Sequence, residues 1–257
     1  MKITWLGTAA FAIESGKEKI LFDPYLQMRG GENFVSFDDL LEYETIFVTH
    51  CHFDHLMYVP ELLEEGEATV FCTEQCCRTM EKFTDQTDRM VCVRPGNEIL
   101  LGGVQVDVLK GKHIEFQYSH FSDSLSLSRL VRYARNLPSL VWANRSFKEA
   151  GEIVSYRIRA EEKEILLLGS LALDRDEVYP EGVDILILPW QGNNDLVACA
   201  REVLGRIRPK SILLSHFDNA FPPLSRHMDL KPLRTLLDEE FPEIRAVLPT
   251  AFRPLEF

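Results

Sequence analysis

Residues 45–55 read Thr-Ile-Phe-Val-Thr-His-Cys-His-Phe-Asp-His. The short apolar run is that of a buried strand, and it ends in a segment carrying His50, His52, Asp54 and His55. Three of the chain's seven histidines thus fall within six residues. Crowded imidazoles oppose one another's protonation, so a merely solvated loop gains nothing from the arrangement. Imidazole nitrogen and carboxylate oxygen are, however, the donors that zinc and its first-row neighbours take. On an extended backbone alternate residues point the same way, so His50 and His52 can grip one ion while Asp54 and His55 reach a second position. Cys51, between the two histidines, faces away and reads as packing.

The pattern recurs further on. Residues 211–216 read Ser-Ile-Leu-Leu-Ser-His, followed by Phe217-Asp218: an apolar strand, a hydroxyl residue, then histidine. Ligands gather where strands end, so His216 is a distant partner for the first cluster, with a capping or surface histidine as the alternative. His113 follows the run Val104 to Leu109 in the same manner and is the natural third ligand beside His50 and His52; His120 is its competitor. His227 lies in Pro222-Pro223-Leu224-Ser225-Arg226-His227 and reads as a loop residue, with a substrate contact as the second reading.

Strand candidates are Ile3 to Trp5, Phe11 to Glu14, Lys19 to Phe22, Thr45 to Val48, Thr69 to Cys72 and Met90 to Val93. Further candidates are Val104 to Leu109, Ile153 to Arg159, Ile165 to Leu168, Ile185 to Leu188, Ser211 to Leu214 and Arg245 to Leu248. The clearest helix is Leu196 to Ile207, with one apolar stripe and a stop at Arg208-Pro209. Glu74 to Phe83 and Lys231 to Glu240 are further helices. Strands dominate the first hundred residues, and from Ile165 strand and helix alternate. Two mixed sheets packed together, with helices outside, account for that order: an α+β architecture, read as one domain over residues 1–257. Residues from about 114 to 150 break the pattern and read as an insertion or lid, with a helix over Ser128 to Asn136.

With 28 Lys+Arg against 40 Asp+Glu, the net charge of −12 argues against a protein that tracks a nucleic-acid backbone, which needs clustered cations. No apolar run approaches the about 20 residues of a membrane helix, and the opening residues lack a signal-peptide pattern. A chain of this size has no need of disulfide staples, so its six cysteines are expected as reduced thiols in the cytoplasm.

Two further segments complete a family signature: W-L-G-x-A-x-F-x-I-E over residues 5–14 and I-L-F-D-P-Y over residues 20–25. Together with H-x-H-x-D-H after a buried strand, they resemble the metallo-β-lactamase-fold hydrolases, and within them most the ascorbate-6-phosphate-lactonase-like branch. The resemblance covers most of the chain outside the insertion and is specific to the superfamily, not to a substrate. It implies an αββα sandwich, with His50, His52 and His113 around a first metal and Asp54, His55 and His216 around a second. It also makes Asp23 a carboxylate that orients a ligand histidine, with turn formation at Asp23-Pro24 as the alternative. Two residues depart from the family. Ser170, in Gly169-Ser170-Leu171, stands where an Asp usually bridges both metals, and Asp174 is four residues too late to replace it. Thr8 stands where related chains often have His.

The implied reaction is hydrolysis of a small, anionic ester, lactone or phosphoester by a metal-activated water, with one or two ions of zinc or manganese. Asp54 would position the nucleophile or act as base. Gln191, Asn193 and Asn194, in the loop entering the Leu196–Ile207 helix, are expected substrate contacts, although Asn194 or Asp195 could simply cap that helix. Arg129, Arg132 and Arg135 would share a helix face that meets a phosphate or, more simply, solvent. Two other classes stay open: a non-catalytic metal- or ligand-binding protein, motivated by Ser170 and Thr8, and a nuclease, which the net charge disfavours. No nucleic-acid or membrane partner is expected; association of like subunits is open.

Overall fold

The computed structural model describes residues 1–32, 35–115, 126–148 and 151–257. The chain opens with three antiparallel strands, β1 (Lys2–Gly7), β2 (Ala10–Ser15) and β3 (Glu18–Phe22). Helix α1 (Phe37–Leu41) leads to β4 (Thr45–Phe47), which adds to β3 in parallel. The single turn α2 (Phe53–Leu56) and helix α3 (Val59–Glu65) lead to β5 (Thr69–Cys72), and α4 (Glu74–Met80) precedes β6 (Met90–Cys92).

A second sheet starts with the hairpin β7 (Glu98–Leu101) and β8 (Val104–Lys110). Helices α5 (Leu127–Arg132) and α6 (Leu137–Ser146) precede β9 (Val154–Ala160), β10 (Lys163–Leu167) and β11 (Ile185–Pro189). Then α7 (Leu196–Ile207), β12 (Ser211–Ser215), α8 (Lys231–Glu240) and β13 (Arg245–Val247) follow in turn. The last strand, β14 (Pro254–Glu256), returns to the first sheet beside β1.

Among the described residues each sheet has seven strands, ordered β14-β1-β2-β3-β4-β5-β6 and β13-β12-β11-β10-β9-β8-β7. Both are antiparallel in one half and parallel in the other, as the mixed-sheet reading expects.

Side-chain alternation assigns the two faces of the first sheet to different cores. Phe11 and Ile13 of β2 join the cluster shared with the second sheet, while Ala10 and Ala12 face the cluster containing Leu56, Leu62, Leu63 and Met80 of the helices. Across β3, β4 and β5 the rings of Phe22, Phe47 and Phe71 stack at 5.4 and 4.7 Å. Strands β11 and β12 are buried along their whole length, which explains their unbroken aliphatic runs. The result is an αββα sandwich.

Helices α7 and α8 begin and end where periodicity predicts. Asp195 caps α7 by accepting from Ala198 N at 3.0 Å, and Arg208 closes it in the left-handed region. Strands β7 and β14 escape the periodic reading because both are short and half-exposed, although the Gly102-Gly103 pair between β7 and β8 is a hairpin signal.

The expected helix over Ser128 to Asn136 is broken at Tyr133, so Arg129, Arg132 and Arg135 do not share one helix face. The Arg129 guanidinium instead donates to the carbonyls of Ser225 at 2.7 Å and Pro223 at 3.4 Å, while Arg132 and Arg135 are exposed. All six cysteines are free thiols, and no helix among the described residues is long and apolar enough to cross a membrane.

Candidate metal centre

Beyond β4, the main chain passes through Val48 and Thr49 to His50. This exit is fixed by Asp23, at the end of β3, whose carboxylate accepts from Thr49 N at 2.7 Å and from Thr49 Oγ1 at 2.8 Å. The same carboxylate lies 2.9 Å from His55 Nδ1. Because the Thr49 hydroxyl gives its proton to Asp23, its oxygen accepts from His50 Nδ1, 2.9 Å away. This network assigns the Nδ1–H tautomer to His50 and His55 and turns their Nε2 lone pairs toward the cavity. His113 is set the same way, with Nδ1 2.8 Å from the Ile114 carbonyl.

Asp54 and His55 sit on the one-turn helix α2, not on the extended loop that the sequence suggested, and His52 caps that turn. Four residues are too few for periodicity to reveal a helix. Cys51 is buried facing away and donates to Thr79 Oγ1 at 3.2 Å, as expected from its place between two histidines.

Two triads result. The donor atoms of His50, His52 and His113 lie within 4.8 Å of one another, and so do those of Asp54, His55 and His216. Each triad takes members from both sheets: His113 follows β8 and His216 follows β12, while the others follow β4.

Burial holds the imidazoles of His50 and His216 well below the usual histidine range, and the neighbouring histidines push them further. His52 falls to about 3, again through burial first and then His113 and His55. For His55 burial works downward, but Asp23 and Asp54 outweigh it and raise the group. Burial also lifts the Asp54 carboxyl above its ordinary value. His50 Nε2 faces His52 Nδ1 at 2.9 Å, and His55 Nε2 faces His216 Nε2 at 3.2 Å. Nitrogens converging at such distances beside the partly buried Asp54 carboxylate form a donor set that fits a divalent cation.

Three residues bordering the centre hold left-handed backbone without being glycine: Thr8 (φ 51°), Asp23 (φ 45°) and His216 (φ 54°). Their hydrogen bonds hold them there. His216 N donates to Thr8 O at 2.9 Å, and Thr8 N donates to the Asp218 carboxylate at 3.1 Å. Thr8 therefore serves the centre through its main chain and lies outside the cavity wall.

Ser170 lines the cavity, and its Oγ accepts from Ile114 N at 3.0 Å, tying down the residue beside His113. Asp174 is directed elsewhere, pairing with Lys110 at 3.0 Å. Gly169 is required by proximity: a Cβ there would lie 2.7 Å from Thr49 Cβ and 2.9 Å from Thr49 Oγ1. Gly169→Ala is expected to lower the unfolding free energy by about 1–3 kcal/mol. Urea denaturation checks this, and an unchanged midpoint would show that Thr49 can yield.

The cavity, of about 650 Å³, is lined on one part, its floor, by the six triad residues and elsewhere by residues that include Leu137, Leu140, Val141 and Asn144 of α6. Gln191 is in the wall. Asn193 and Asn194 do not line it. The Asn193 amide is committed to the loop, donating to Glu115 O at 2.8 Å and accepting from Asp195 N at 2.8 Å. His227 is exposed and faces Glu32 at 2.9 Å, away from the cavity. His120 lies outside the described residues. Sequence reasoning missed Thr49 as a holder of two histidines, although a hydroxyl residue before each of His50 and His216 was the visible signal.

Back-to-back mixed sheets with paired donor triads at their strand ends define the metallo-β-lactamase class of fold. The profile of the beta-lactamase superfamily domain matches residues 2–216, and the chain belongs to that superfamily. A metal-dependent hydrolase of Archaeoglobus fulgidus is 33% identical over 113 residues, 44% of this chain and 46% of that protein. Another, from Rhizobium etli, is 34% identical over 118 residues, 46% and 50% of the two chains. The chain thus spans about half the length of the curated relatives it matches. Among solved structures, the metallo-β-lactamase fold protein YhfI from Bacillus subtilis is similar with a TM-score of 0.66 at 14% identity, over 99% of both chains.

Proposed function

We propose that this protein is a metal-dependent hydrolase of small esters, lactones or phosphoesters. The observation that carries the reading is the pair of triads on the floor of one cavity. The relatives named as metal-dependent hydrolases support it, and the lactonase-like branch suggested by the sequence falls within it. His50, His52 and His113 would hold one zinc or manganese ion, and Asp54, His55 and His216 a second. Such an ion supplies Lewis acidity and a readily ionised water.

The remaining work belongs to the chain. Asp23 and Thr49 keep His50 and His55 in the tautomer that presents Nε2. Asp54, its carboxyl raised by burial, takes a proton at Oδ and orients the attacking water. Gln191 offers a neutral amide to the scissile group from the wall. Ser170 fixes the main chain beside His113, replacing by hydrogen bonding a residue that in the family bridges two ions. Helix α6 acts as the lid of one domain and shields the reaction from bulk water. A net charge of −12 favours a small molecule over nucleic acid, and free thiols suit the cytoplasm.

The test is metal content of the purified protein together with turnover on ester, lactone and phosphodiester panels. Asp54→Asn is expected to reduce kcat/KM by about 10²- to 10⁴-fold while an ion stays on the three-histidine triad. Undiminished turnover removes Asp54 from the proton-transfer role. Stoichiometric metal without turnover on any panel would favour the binding-protein reading.

A further inference from the structure

Among the described residues, the cavity wall contains no Lys or Arg. Residues 33–34, 116–125 and 149–150 contain none in their sequence either. The guanidinium of Arg129, on α5, is spent on the carbonyls of Ser225 and Pro223, and Arg145 of α6 is exposed outside the wall. Above the floor the surface is built by Phe53, Leu137, Leu140, Val141, Phe221 and Leu224. Its neutral polar groups, Gln191, Asn144 and Ser170, can hydrogen-bond a carbonyl, an ether oxygen or an anion, but none carries a charge that would offset an anion's desolvation.

The floor and the wall therefore recognise different parts of a ligand. Metal charge would reach the group that reacts. A phosphate or carboxylate remote from that group would lose part of its hydration against aliphatic side chains with no counter-charge, whereas each methylene buried there gains about fourfold in affinity. A cavity of about 650 Å³ has room for such an apolar body.

We propose that the substrate is an ester, lactone or phosphoester whose non-reacting part is uncharged and apolar. The inference rests on the hydrolase reading and narrows it, replacing the anionic substrate expected from sequence. The step balances with one water: its oxygen bonds to the acyl carbon or phosphorus, the bond from that atom to the leaving oxygen breaks, and the leaving oxygen takes a proton.

The experiment compares a γ-lactone bearing a hexyl chain with the same lactone ending in a carboxylate. The two matching lactams, which resist hydrolysis, are titrated calorimetrically into metal-free and metal-loaded protein. The expected result is a kcat/KM about 100-fold or more in favour of the alkyl lactone, with tighter binding of the alkyl lactam in both forms. Val141→Arg, at a position 49% exposed and so tolerant of the change, is expected to cut that preference at least about tenfold by improving the carboxylate compound.

Equal or better turnover or binding of the carboxylate compounds by the wild type overturns the proposal, as does an unchanged preference in Val141→Arg. If neither the lactones nor the ester and phosphodiester panels are turned over but the alkyl lactam binds more tightly, the hydrolase reading fails and the specificity of the wall stands. If neither lactam binds, the specificity of the wall fails, whatever the turnover.

Discussion

Asp23→Ala is expected to be less stable than the wild type by about 3–5 kcal/mol and to bind metal at the Asp54/His55/His216 triad about 10- to 100-fold more weakly. The side chain is almost fully buried and accepts from Thr49 N, Thr49 Oγ1 and His55 Nδ1 at once. Removing it strands three donors in a site that water does not readily reach, and an unpaired buried donor costs far more than the net value of the bond it lost. It also frees the Thr49 hydroxyl to turn, so His50 loses the acceptor that fixes its tautomer.

Asp23→Asn separates the two effects. Its Oδ1 can still accept from Thr49 N, but its amide meets His55 Nδ1–H as a second donor, so stability is expected to recover in part while metal affinity stays low. Urea denaturation and metal titration read the two quantities independently. A wild-type midpoint with wild-type affinity in Asp23→Ala would mean that the carboxylate only shapes a turn.

His50→Ala and His216→Ala are expected to part company in metal content, each losing the ion of its own triad and keeping the other. In His50→Ala, kcat/KM is expected to fall at least about 10³-fold, because the transition state forfeits several kcal/mol of charge stabilisation. Elemental analysis of each variant against the wild type checks the assignment. Retention of the full metal complement by His50→Ala would show that the histidines around it do not form a site. Neither variant should unfold, since replacing a ring by a smaller apolar group relieves a crowd of imidazoles held unprotonated by burial.

Much of this was legible in the chain. Runs such as Ile185 to Leu188 and Ser211 to Leu214 announce buried strands because both of their faces meet apolar layers, and α7 announces itself by a stripe with a cap at each end. The histidines were legible because chance does not cluster them behind a strand. Less visible were features that depend on one chain segment meeting another. Nothing local to Asn193 says that its amide is claimed by the Glu115 carbonyl, and nothing local to Arg129 says that it holds the 223–225 loop. The anionic substrate was inferred from family and from a nearby run of arginines. The structure turns Arg129 away from the cavity and leaves Arg132 and Arg135 exposed.

Both triads are assembled from the two sheets, so neither layer owns a complete site. An ion held there is therefore a rivet as well as a reagent, since the layers cannot part without surrendering a ligand. Release of the ion and opening of the sandwich become linked equilibria, with each tenfold of free metal above the dissociation constant adding about 1.4 kcal/mol to closure.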